Sequence, residues 1–204
     1  MAERILITGA TGFVGRRLVS RLMQEGRHLT LAVRSPRAIP PHWREQPRLR
    51  IVSTGPIEDS HNLEDALVDV SSVVHLAGLT NQREESERDF LRANAEATEK
   101  LANSSTDITN FVYLSSLFAI TKNTASEVID DHTTGKPLNF YSKSKRMGEE
   151  HVSRLSQRGI FAVSPRPPLI VGAEAKGNWA ALQRLAATGF PLPFGGVNNR
   201  RSMI

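Results

Sequence analysis

The sequence predicts an α/β fold, a doubly wound parallel sheet followed by the beginning of a second, incomplete lobe. Three observations predict it. Short apolar runs alternate with segments of helical periodicity from the N-terminus to about residue 166. Several of those runs are nearly all apolar, as strands covered on both faces are. The first run passes directly into a glycine-rich turn, ITGATGFVG over residues 7–15, and then into a helix.

In chain order, Arg4 to Thr8 is the expected first strand, and Phe13, Val14, Leu18, Val19 and Leu22 recur at helical spacing over residues 13–25. Gly26 ends that helix, and His28 to Arg34 (HLTLAVR) is the expected second strand. Further strands are expected at 49–53, 72–77, 110–115 and 160–166, with helices at 62–70, 87–103 and 141–157. From Pro167 the texture changes to RPPLIVGAEAKGNW, then a helix over 179–188, then the Pro- and Gly-rich GFPLPFGGVNNRRSMI. Met203 and Ile204 read as the start of an element, which suggests a truncated chain.

Composition bounds the chemistry. At 204 residues and 39% hydrophobic, the chain can bury one substantial core. It has no cysteine, which excludes disulfides, thiolate zinc sites and cysteine nucleophiles. A formal charge of +5 is compatible with an anionic ligand, but no long basic run or interleaved aromatic residues suggest nucleic acid. No apolar stretch approaches the roughly 18 residues of a membrane span, and MAERILITG lacks a signal-peptide pattern, so a cytoplasmic protein is expected. His75 sits on an apolar strand without a second ligand at metal spacing and reads as a structural histidine; no metal site is expected.

A strand that runs into glycines and then a helix is the context of a dinucleotide site. Gly9 permits the sharp turn, Gly12 lets backbone approach a pyrophosphate, and Gly15 lets the helix lie close on the strand. The helix N-terminus presents free N–H groups to the phosphates. Hence a Rossmann-type NAD(P)-binding domain is expected over 1–166, with 167–204 as the start of a substrate-binding region. The second strand ends Val33, Arg34, Ser35, with no carboxylate for the ribose hydroxyls of NAD. An arginine there suits a 2′-phosphate, which favours NADP over NAD.

The only tyrosines are Tyr113 and Tyr141, and Lys145 follows Tyr141 by four residues in YSKSK. On a helix those two share a face, whereas Lys143 does not share it. An ammonium near a phenol favours its phenolate and fits it for acid–base work. The fifth strand ends at Ser115 and Ser116, where a doubly wound sheet gathers its ligands. A serine there can hold a substrate oxygen while the phenol moves the proton.

TGATGFVG, VVHLAG, Asn94, FVYLSS, YSKSK and RPPLIVG occur in one order across the whole chain. In that order they resemble the extended short-chain dehydrogenase/reductases, the nucleotide-sugar epimerases and dehydratases. The resemblance implies that Tyr141 is the acid/base, that Lys145 binds the nicotinamide ribose and tunes Tyr141, and that Ser116 more than Ser115 orients the reacting group. It implies that Gly9, Gly12, Phe13, Val14 and Gly15 cradle the pyrophosphate, with Ala77 and Gly78 flanking the cofactor. KGNWAALQRLAATGFPLPFGGVNNRRS is similar to the UDP-glucose 4-epimerase-like and UDP-4-keto-sugar reductase branch. By that likeness Asn178 and Arg201 face the sugar nucleotide, Arg200 less clearly so. One departure is Leu117, Phe118, Ala119 and Ile120, where members often carry Tyr-Gly.

The expected function is hydride transfer at C4 of a nucleoside-diphosphate sugar, UDP-linked, by an epimerase or 4-keto-sugar reductase, with a homodimer among the expected partners. The alternatives are a non-catalytic NADP-sensing module and, last, an RNA-binding scaffold.

Overall fold

The computed structural model describes residues 3–80, 86–121, 128–130, 132–133, 135–174, 178–189, 196, 200 and 202–204. Six parallel strands make one sheet: β1 (Arg4–Thr8), β2 (His28–Val33), β3 (Leu49–Ser53), β4 (Val70–His75), β5 (Asn110–Tyr113) and β6 (Phe161–Val163). Their spatial order is β3-β2-β1-β4-β5-β6. The chain leaves β1 in one direction and returns to its other side at β4, so the reversal of order falls between β1 and β4. That crevice, at the carboxyl ends of the strands, is where this architecture binds ligands.

Side-chain alternation along each strand divides the core into two layers. Leu6 of β1, Val73 of β4 and Phe111 and Tyr113 of β5 pack with Leu63, Leu101, Val152 and Leu155 on one face. Ile7 of β1 and Leu29, Leu31 and Val33 of β2 pack with Val19 and Trp43 on the other. The helices that cover these faces are α1 (Phe13–Gln24), α2 (Pro41–Arg44), α3 (Leu63–Leu67), α4 (Glu87–Phe90), α5 (Ala97–Ser104) and α6 (Phe140–Ser153).

The ends of several elements shift, β5 stopping at Tyr113, β6 spanning only Phe161–Val163 and α6 ending at Ser153, and three further details differ from the sequence expectation. Val70 is expected to close a helix but opens β4. Asp69 takes a left-handed backbone with φ 59°, which stops the helical path and frees Val70 to pair with Arg4. The helix expected over 87–103 is α4 and α5 joined by a π-helical stretch, Leu91–Glu96, centred on Asn94. The short α2 has no periodicity to announce it; the buried ring of Trp43 holds it on the sheet.

Chain contacts divide the molecule into two units, Met1–Arg166 and Pro167–Ile204. Within the second, α7 spans Asn178–Ala186, and Leu169 pairs with Met203 in an isolated parallel bridge. Val171 N–H donates to Ile204 O at 2.8 Å and Ile204 N–H to Leu169 O at 3.1 Å.

Candidate active site

The glycine turn is built without room for side chains. Gly9 has φ +67°, and a Cβ placed on it would lie 2.5 Å from the backbone nitrogen of Ala77. A Cβ on Gly15 would overlap the Gly9 carbonyl oxygen and come within 2.8 Å of Ala10 Cα. Gly12 is the N-cap of α1 and offers no side-chain cap, so the first amides of a twelve-residue helix are left without side-chain acceptors. Turn, β4 end and helix start therefore meet as bare backbone, the surface that a pyrophosphate requires. Phe13 and Val14 form the first turn of α1.

Thr8, at the end of β1, ties the turn to β4. Its hydroxyl oxygen accepts from Ala77 N–H at 3.1 Å and lies 2.7 Å from His75 Nδ1. The other ring nitrogen, Nε2, lies 3.0 Å from Thr98 Oγ1, which itself donates to Asn94 O at 2.6 Å. Donor balance then assigns the tautomer: Nε2–H donates to Thr98 and bare Nδ1 accepts from Thr8. His75 is fully buried, and desolvation, followed by the nearby charge of Lys145, pulls its pKa down to about 3. It is a hydrogen-bonded structural histidine.

Asn94 extends this network to the segment after β4. Its Oδ1 accepts from Leu79 N–H at 2.8 Å, and its Nδ2 donates to Leu79 O at 3.0 Å and to Ser144 Oγ at 2.9 Å. The amide thus mimics a strand partner for Leu79 and holds Gly78 beside α6. A Cβ on Gly78 would stand 2.7 Å from Asn94 Oδ1 and 3.1 Å from Lys145 Nζ.

Helix α6 begins with a reciprocal cap: Ser142 N–H donates to Asn139 Oδ1 at 2.8 Å, and Ser142 Oγ accepts from Asn139 N–H at 3.0 Å. The cap fixes Tyr141 in the first turn, half-buried, with its ring edge-on to Phe90 at 6.2 Å. One turn later Lys145 is buried; its Nζ donates to Leu114 O at 2.9 Å and lies 4.7 Å from the centre of the Tyr113 ring. Desolvation pulls the Lys145 pKa down to about 8, opposed by the carboxylate of Glu149. Lys143 points outward over Phe140.

The two serines after β5 part company. Ser115 Oγ donates to Glu149 Oε1 at 2.6 Å and is committed there. Ser116, 8% exposed, accepts from Phe118 N–H at 3.3 Å and stands near enough to the Tyr141 phenol to lower a pKa that burial raises above the usual tyrosine value. The lowering of Tyr141 expected from Lys145 is not what dominates: burial is the larger influence, and Ser116 is the group that opposes it.

Arg34 follows β2 in the exposed loop, and its side chain makes no hydrogen bond or ion pair among the described residues. Arg200 is exposed. Arg201 and the side chain of Asn178 lie outside the described residues. Among the described residues, no cluster of three His, Cys, Asp or Glu is arranged to hold a metal, and no helix is long and apolar enough to cross a membrane. The structure thus brings Gly9, Gly12, Gly15, Ala77, Gly78, Ser116, Tyr141 and Lys145 to the carboxyl ends of the strands. Sequence reasoning assigns no role to Thr8, Glu149 or Arg166, although Thr8 opens TGATGFVG, Arg166 opens RPPLIVG and Glu149 stands at the next i+4 step after Lys145.

Residues 5–201 match the model of the NAD dependent epimerase/dehydratase family. A UDP-glucose 4-epimerase of Vibrio cholerae is 29% identical over 100% of this chain and 63% of its own length. A ceramide reductase of Caulobacter vibrioides is 31% identical over 98% of this chain and 56% of its own. Among solved structures, MoeE5 in complex with UDP-glucose and NAD superposes with a TM-score of 0.76 at 26% identity, covering 93% of this chain and 62% of MoeE5. The chain spans less than two thirds of each of these relatives. A bare glycine turn joined through Ala77 and Gly78 to a tyrosine–lysine helix, together with a family match over nearly the whole sequence, makes this chain a member of the NAD-dependent epimerase/dehydratase family.

Proposed function

We propose that the protein transfers a hydride at C4 of a nucleoside-diphosphate sugar, UDP-linked, as an epimerase or a 4-keto-sugar reductase. The observation that carries this reading is the adjacency of Ser116, Tyr141 and Lys145 to the glycine cradle, with Gly78 packed between Asn94 and Lys145. The bare backbone at Gly9, Gly12 and Gly15 fits a dinucleotide, with Phe13 and Val14 in the helix turn that follows. When bound, the nicotinamide supplies the hydride acceptor or donor.

The chain's own groups handle the proton. Tyr141 begins as a neutral phenol, since burial holds its pKa above the usual value. In carbonyl reduction it gives its O–H proton to the substrate oxygen; in alcohol oxidation the same oxygen takes the proton back. Ser116, beside that phenol, donates a hydrogen bond to the substrate oxygen and holds it in line. Lys145, positively charged below pH about 8, favours the phenolate left after donation and binds the nicotinamide ribose.

Arg34 supports a preference for NADP over NAD, since an exposed guanidinium at the end of β2, unpaired among the described residues, can fork onto a 2′-phosphate. Residues 167–204, with Asn178 and Arg201, belong in this reading to the sugar-nucleotide lobe. The Vibrio relative and the UDP-glucose complex of MoeE5 support a UDP-linked substrate.

The test offers NADPH and NADH with UDP-hexoses and UDP-4-keto sugars to the chain and to Tyr141→Phe. Turnover falls by roughly 10²–10⁴ in the variant if Tyr141 is the acid–base group. Undiminished turnover in Tyr141→Phe refutes the mechanism.

A further inference from the structure

Glu149 is a buried carboxylate that the chemistry above does not use. Arg166 grips it through two parallel bonds, Nε to Oε1 and Nη2 to Oε2, each 2.7 Å long. Ser115 Oγ donates to Oε1 at 2.6 Å, and Arg146 Nη1 reaches Oε2 at 3.3 Å. Its partners sit on different parts of the chain. Ser115 precedes Ser116 in the loop after β5, Arg166 follows β6, and Glu149 lies on α6, four residues beyond Lys145 as Lys145 lies four beyond Tyr141. That spacing puts all three α6 side chains on one face. A pin holding the sheet edge to the helix needs no such phase, and an apolar residue serves that purpose without burying a charge.

We propose that Glu149 is a positioning residue for the Tyr141–Lys145 pair: it locks the three chain segments that frame the pair and supplies the counter-charge to the Lys145 ammonium. The proposal rests on the role of Tyr141 and Lys145 given above. By accepting from Ser115, Glu149 occupies that hydroxyl's proton and leaves the next hydroxyl, Ser116, to serve the phenol.

The groups that face Lys145 from each packed element decide what it feels. Tyr141 and Glu149 face it from α6, Tyr113 from β5 and His75 from β4, with Arg166 and Arg146 behind Glu149. His75 is neutral at pH 7, and burial keeps both phenols protonated there. The Glu149 carboxylate is therefore the anion that offsets the cost of burying the ammonium, and the two arginines temper it.

The titration of Lys145 reads this directly. Lysine labelled with ¹³C at Cε is followed by NMR against pH in the chain without added ligand, the Lys145 signal being assigned from its loss in Lys145→Arg. Glu149→Gln removes the counter-charge and lowers the midpoint by about one unit, the scale of a close opposite charge. Arg166→Gln removes a cation from the same carboxylate and raises it. Opposite shifts from two variants that both weaken the same pin are not the result of a purely structural role. Equal or absent shifts overturn the proposal. If Glu149→Gln does not fold, Arg166→Gln and the half-exposed Arg146→Gln must both raise the midpoint, and a failure to do so overturns it as well. No substrate or cofactor enters the measurement. A motionless Lys145 therefore removes the role of Glu149 alone, while turnover that survives Tyr141→Phe removes the parent mechanism alone.

Discussion

The Oγ1 of Thr8 and the Nδ1 of His75 meet at 2.7 Å across the β1–β4 pair, where Thr8 and His75 stand opposite each other in the ladder. As assigned, the bond uses a neutral ring, and full burial beside the Lys145 charge disfavours the protonated one. Its folded pKa, about 3, lies below the ordinary histidine value of 6.5, so the unfolded chain binds the extra proton throughout that interval. Stability is then complete above pH 6.5 and is lost as pH falls from 6.5 toward 3, with a slope of about 1.4 kcal/mol per pH unit. Urea unfolding between pH 7 and pH 4 measures that slope. His75→Gln is expected to be less stable at pH 7 and to flatten it.

Gly15→Ala tests whether the turn is shaped by close packing. The added methyl would overlap the Gly9 carbonyl oxygen and press on Ala10, and both obstacles are backbone atoms that cannot rotate away. Helix α1 must move off β1, at a cost of roughly 1–3 kcal/mol. A lower thermal midpoint and at least about a tenfold loss of NADPH affinity, read by fluorescence titration, are expected if displacing the helix N-terminus costs about 1.4 kcal/mol or more of binding energy.

Much of this arrangement is legible in the sequence. The strand–turn–helix start, the alternation of elements and the shared face of Tyr141 and Lys145 are local patterns, and local patterns are what periodicity reports. The choice between Ser115 and Ser116 is different in kind: resemblance favoured Ser116, but the physical reason is that Ser115 is held by Glu149, 34 residues away. The network that joins Thr8, His75 and Thr98 likewise depends on side chains 67 and 23 residues apart, and only its last link, Thr98 to Asn94, is local to one helical turn. The π-helical stretch at Asn94 was invisible for a related reason. Its residues have ordinary helical character, and the stretch sits where Asn94 is held by Leu79 and Ser144 rather than by any neighbour in sequence.

Arg34→Ala separates cofactor choice from stability. The side chain is exposed and unpaired among the described residues, so its loss shifts folding by no more than about 0.5 kcal/mol. A charge-assisted bond to a 2′-phosphate contributes roughly 1.5–3 kcal/mol, so the ratio of NADH to NADPH dissociation constants should fall by about tenfold or more. An unchanged ratio in Arg34→Ala removes the argument for NADP.

Asn94 offers the sharpest separation of packing from positioning, because its three side-chain bonds go to two different segments. Asn94→Ala leaves Leu79 N–H, Leu79 O and Ser144 Oγ without that partner, and a cost of roughly 2–4 kcal/mol is expected from the buried groups left unmatched. Ser144→Ala removes only the last of these from the Asn94 side, together with the hydroxyl's own bond to Tyr141 O, and should cost about 1 kcal/mol. Asn94→Asp is the informative change. It keeps an acceptor for Leu79 N–H but loses both donors, and it sets a carboxylate against Gly78, whose other neighbour is the Lys145 ammonium. Hydrogen exchange at the Leu79 amide should therefore remain slow in Asn94→Asp and become fast in Asn94→Ala. The Lys145 titration should move upward in Asn94→Asp only, since a new anion near an ammonium favours the charged form.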